Sequence, residues 1–188
     1  MSQTRGSRKQ KLISVRSAHH VLRVFWPDFV DVDGCVFAAF QWSGSAQAPS
    51  GDKTSWECFV NHTHLLDEFK NTATMERRKP ASENLDEVEV FYDHTHPDFV
   101  AACEQGIKVA RMWATKLKLD YPQQRFRVYY TQYDNPILRF HKVRTDEPVW
   151  LSDEALLSAT DPSFSGAVIY DTDYLDRPVA KCARTVLQ

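Results

Sequence analysis

The sequence predicts an α+β domain: a mostly antiparallel sheet of about six or seven strands, one long helix over about 97–119, and short helices packed on one face. Three observations carry that expectation. Short β-branched and aromatic runs recur along the 188 residues, several of them separated by turn signals short enough for hairpins. A single long segment from Pro97 has the spacing of an amphipathic helix, with Phe99, Cys103, Ile107, Ala110, Ala114 and Leu117 at three- and four-residue steps. Strands joined by hairpins favour this class over a doubly wound parallel sheet.

Taken in order, residues 1–18 read as a basic, flexible arm preceding a single domain at 19–188. No acid occurs before Asp28, whereas Arg5, Arg8, Lys9, Lys11, Arg16 and Arg23 are cationic. Such an arm suits phosphate or an acidic partner. "HHVLRVFW" and "FVDVDGCVFAAFQW" read as strands, the second folded at Asp33-Gly34, two residues that accept positive φ. Residues 43–55 read as a loop, "WECFV" as a strand and "LLDEFKN" as a short helix. Residues 72–87, polar and interrupted by Pro80, read as a second long loop, and "VEVFY" as the next strand.

The long helix contains Gly106, which costs about 1 kcal/mol relative to Ala unless it allows close packing. Tyr121-Pro122 ends it. "RFRVYYTQY" and "ILRFHKVR" flank Asp134-Asn135-Pro136 as an antiparallel hairpin, Ser152 caps a short helix in "SDEALL", and "GAVIYD" is a last strand before a polar tail.

Composition narrows the class of protein. An apolar fraction of 43 % and a net charge of −2 describe a globular chain with no overall field toward nucleic acid or membrane. No apolar run approaches the ~20 residues of a membrane span, and the start lacks the apolar core of a signal peptide. Cys35, Cys58, Cys103 and Cys182 are scattered, as reduced packed thiols are, so a cytoplasmic location is expected. Gly-rich phosphate loops, G-x-S-x-G and zinc-finger spacings do not occur.

The chemistry concentrates in two segments that align in register, "ECFVNHTHLL" at 57–66 and "EVFYDHTHPD" at 89–98. Both read as a strand running into His-Thr-His and a helix running out. Asn61 or Asp93, Thr63 or Thr95 and the histidines can satisfy loose helix-end donors with no further role. They also suit an anion site: helix N-termini present N–H groups, and His62, His64, His94 and His96 serve as donors or bases, with Thr63 and Thr95 beside them. Arg125, Arg127 and Arg139 of the following hairpin would neutralise phosphate, and their aromatic neighbours could stack bases.

The same histidines with Asp93 could instead ligate a divalent metal, as in a metal-dependent hydrolase of phosphoesterase type. Asp171, Asp173 and Asp176 form a further Asp-x-Asp candidate for Mg²⁺. The H-x-[ST] pairs of the two-histidine phosphoesterases are not met, because Thr directly follows the first His in both triplets.

Three functions follow as expectations: a soluble intracellular binding protein for a nucleotide or nucleic-acid backbone, a metal-dependent hydrolase, or a protein-interaction module without catalysis. Whether the chain is an enzyme is open at this level.

Overall fold

The computed structural model describes residues 21–44, 51–68, 74–78, 88–132, 135–159, 164 and 166–182. The expected basic arm at 1–18, parts of both expected loops, Asp134 of the expected hairpin turn and Tyr133 of the strand before it lie outside the described residues, and for 74–78 and 88–91 only the backbone is described.

The α+β class and the antiparallel sheet are as expected. The described strands are β1 (Phe29–Val32), β2 (Cys35–Ala38), β3 (Thr63–His64), β4 (Thr74–Arg78), β5 (Val88–Tyr92), β6 (Phe126–Thr131), β7 (Ile137–Lys142), β8 (Val168–Asp171) and β9 (Ala180–Lys181). The helices are α1 (21–25), α2 (Lys53–Val60), α3 (Leu65–Glu68), α4 (Pro97–Asp120) and α5 (Asp153–Leu157). A five-stranded antiparallel sheet in the order β3-β7-β6-β8-β9 forms the body, with two-stranded ribbons β1-β2 and β4-β5 beside it.

Alternation along β6 sorts the core into two layers. Val128 and Tyr130, with Leu138, Phe140, Val168 and Tyr170, pack with Val109, Ala110, Trp113, Ala114 and Leu117 of α4. Tyr129 and Ile169, on the opposite face, pack with Leu156 of α5, Trp150, Ala180 and Cys182. The short helices are therefore divided, with α5 on the face away from α4. Gly106 lets α4 come close: a Cβ there would lie 2.2 Å from the Tyr130 ring.

Several elements differ from expectation for physical reasons. Residues 21–25 are helical rather than extended; Val24 is fully buried and its carbonyl accepts from Trp113 Nε1 at 2.7 Å, so packing overrides β propensity. "WECFV" lies in α2, not a strand. Asp52 caps that helix by accepting from Ser55 N at 2.8 Å, and its buried positions are Thr54, Glu57, Cys58 and Asn61. Their spacing of three, four and seven is helical, but three of the four are polar, so hydrophobicity hides it. Residues 74–78, expected as loop, pair with β5 in the register Met75↔Phe91 and Arg77↔Glu89. The polar tail holds β9, which pairs with β8.

The inward face of α2 does the work of a missing strand. Glu57, with 0 % exposure, accepts from Val36 N at 2.7 Å, Lys142 N at 2.9 Å and Arg144 Nη1 at 2.7 Å. One turn on, Asn61 accepts from Ala38 N and donates to Val36 O and Phe140 O. Two side chains thus join the edge of β2 to the edge of β7 and satisfy backbone groups that no strand reaches.

Candidate functional site

The two His-Thr-His segments have different structures. The first follows a helix, α2, and its Thr63 and His64 form strand β3, pairing with Leu138 and Ile137. Thr63 is fully buried and accepts from Gln41 Nε2 at 3.0 Å; it caps nothing. The second is a turn between β5 and α4. Asp93 Oδ1 accepts from Thr95 N and Thr95 Oγ1, which hold its carboxyl below the usual range, and His96 Nδ1 caps α4 by accepting from Asp98 N at 3.1 Å. The exposed His94 ring stacks on Phe99 at 4.5 Å.

The turns are nevertheless neighbours. Leu66, just after the first, and Phe99, just after the second, share a buried cluster, and Tyr92 Oη donates to Asp67 across the gap. Among the described residues, however, no three His, Cys, Asp or Glu side chains are grouped so as to hold a metal ion. The expected joint donor set of His62, His64, Asp93, His94 and His96 is not assembled in this conformation.

The helix-end sites are also occupied from within. His96 fills the first turn of α4, and at α2 the Glu147 carboxylate accepts from Lys53 N at 3.3 Å and Thr54 N at 2.7 Å. α3, at four residues, has no open N-terminal cradle.

Of the three hairpin arginines, two are spent on carboxylates. Arg125 donates from Nε and Nη2 to Asp171, with Asp173 at 3.7 Å. Arg127 donates to Asp153 at 2.8 Å and lies 3.6 Å from Asp171. The same contacts correct the expectation of a magnesium site: Asp171 is fully buried against these arginines, and Asp173 also meets Lys118 at 3.1 Å. The hairpin aromatics Phe126, Tyr130 and Phe140 are core residues and are not available for stacking.

Arg139 is different. Among the described residues it meets ring nitrogens and an aromatic face, not carboxylates. Continuing the β3–β7 register places His62 opposite Arg139, and Arg139 Nη2 lies 3.1 Å from His62 Nε2. On its other side the guanidinium lies 4.7 Å from the centroid of Trp150. Among the described residues its buried Nε, like that of Arg127, has no hydrogen-bond acceptor. His64 completes the row, its ring 4.3 Å from that of His62, with its Nδ1 3.1 Å from Asn135 Nδ2 and 3.5 Å from Asp67.

Burial, then the charge of Arg139, pushes His62 down to about 4, so this imidazole is neutral at pH 7. Burial also lowers Arg139, but a guanidinium starts so high that it keeps its charge. The patch is therefore one cation held between an aromatic ring and a neutral imidazole, with a second imidazole and an amide beside it. Such a set can hydrogen-bond an anion in register; it holds no nucleophile and no strongly activated base.

A second polar row runs deeper on the same face. His141, fully buried, can only donate through Nδ1 to the Lys142 carbonyl at 2.8 Å, so Nε2 accepts from Tyr129 Oη at 2.8 Å. Burial lowers its pKa to about 4. The pair is covered by Trp150 and α5 and offers no open face to a ligand.

Trp150 and Asn135 are the members of the patch that sequence reasoning did not select. Trp150 reads as an ordinary rim aromatic and Asn135 as a turn residue; only the fold brings them to His62 and His64. Comparison with known proteins matched no family model, no curated protein and no solved structure.

Proposed function

We propose that the chain binds an anionic ligand, a nucleotide or nucleic-acid backbone, at the patch of Arg139, His62 and His64, bordered by Trp150 and Asn135. The observation that carries this reading is the state of Arg139. Arg125, Arg127 and Arg144 each meet an acid within 3 Å, whereas Arg139 is held against a neutral imidazole and a tryptophan. A half-buried guanidinium that meets no carboxylate among the described residues is costly to the fold and favourable to an incoming anion. This site is smaller than the sequence implied, since His94, His96, Thr95, Arg125 and Arg127 have structural work elsewhere.

The test is a thermal-shift series with mononucleotides and a short single-stranded oligonucleotide, on the natural chain and on Arg139→Gln. A ligand at 100 times Kd adds about 2.7 kcal/mol to stability. A shift lost in Arg139→Gln supports the reading, and an unchanged melting temperature with every ligand removes it.

A second reading, a protein-interaction surface, has its own support. Leu22 and Trp26 lie one helical turn apart and are 64 % and 41 % exposed, an unusual outlay of large apolar surface for one turn. Self-association that disappears in a Leu22→Ser, Trp26→Ser double variant, measured by light scattering, would favour this reading.

A further inference from the structure

Resting on the reading above, we propose that the Arg139 patch takes a singly charged oxyanion, the phosphodiester linkage of a nucleic-acid backbone, in preference to the doubly charged terminal phosphate of a mononucleotide.

Among the described residues at the patch, Arg139 is the cation that meets no carboxylate. The hairpin's other two arginines are bound to Asp171 and Asp153 and carry no surplus charge toward it. His62 contributes hydrogen bonding without charge. At the far end of the row stands a negative group: Asp67 lies 3.5 Å from His64 Nδ1 and 3.4 Å from Asn135 Nδ2.

Among the described residues, the formal balance across the row is thus one guanidinium against one carboxylate. A phosphodiester brings one charge for Arg139 to meet, and its second unesterified oxygen can accept from a neutral imidazole N–H. A terminal phosphate brings another negative charge, which meets no second cation among the described residues and faces Asp67. It must also shed more water to enter a half-buried site.

The geometry supports the same choice. Trp150 lies against one face of the guanidinium and the His62 ring nitrogens lie at Nη2, so Arg139 is fixed in place rather than free to wrap a phosphate.

The experiment is a titration of the full chain, ¹⁵N-labelled, at about pH 8, where a phosphomonoester carries close to two charges. Dimethyl phosphate and methyl phosphate are the probes, followed through the Arg139 Nε–H and His62 ring resonances. The expected result is that dimethyl phosphate binds at least as tightly as methyl phosphate and that Arg139→Gln abolishes both. Methyl phosphate binding about tenfold tighter, still lost in Arg139→Gln, overturns this preference while leaving an anion site at Arg139. No Arg139-dependent binding of either probe overturns the site itself. The resonances of the unaltered chain locate binding independently of how the variant folds, and Arg139→Lys, which keeps the charge but not the fork, should weaken both probes without abolishing them.

Discussion

Glu57 is the residue on which the assembly of the fold depends most visibly. Burial pushes its carboxyl pKa up, and Arg144 with two backbone amides pulls it back. Glu57→Gln keeps the shape but leaves the Arg144 guanidinium, 10 % exposed, without its closest partner. Breaking one side of such a pair costs on the order of 3 kcal/mol, and urea unfolding should show a loss of that size. Gly106 makes the opposite kind of point. Alanine is the better helix former by about 1 kcal/mol, yet its Cβ would strike Tyr130. Gly106→Ala should therefore destabilise the chain, by 1–3 kcal/mol if overpacking costs what it usually does. A stabilised variant would show that α4 can move away from the sheet at little cost.

Elements were legible where one signal acted alone. The long helix, the β6–β7 hairpin, the Asp33-Gly34 turn and the Ser152 cap all follow from local periodicity or turn chemistry, and the structure has each of them. α2 was not legible because its buried face carries Glu57 and Asn61, whose partners lie on strands far away in sequence. β4 and β9 were hidden by polar composition, since strand pairing needs backbone and not hydrophobicity. The candidate site was half legible: His62, His64 and Arg139 were chosen for their chemistry, but the carboxylates that occupy Arg125 and Arg127 come from other parts of the chain. At this scale the β1–β2 ribbon yields a prediction. Gly34 has φ +76 in its two-residue turn, a region that costs a β-branched residue roughly 1–2 kcal/mol. Gly34→Val should speed hydrogen exchange in β1 and β2 while leaving β6 and β7 protected; equal loss in both would mean that the ribbon and the sheet unfold as one unit.

The whole molecule is held by polar groups buried in their neutral or paired forms, and that sets its response to pH. His141 has a folded pKa of about 4 against an ordinary 6.5. A depressed histidine favours the folded state while it is neutral, so its contribution is complete above 6.5 and disappears as pH falls from there toward 4. That contribution is at most about 3 kcal/mol. Chemical unfolding at stepped pH should show the decline beginning near 6.5, and His141→Gln should flatten its upper part. The account as a whole, however, stands on Arg139, which among the described residues of the hairpin is an arginine that meets no carboxylate. The most direct measurement is the melting temperature of the natural chain and of Arg139→Gln across increasing concentrations of a short single-stranded oligonucleotide at low salt. The account predicts a concentration-dependent rise in the natural chain and none in the variant. An equal rise in both, or no rise in either, contradicts it.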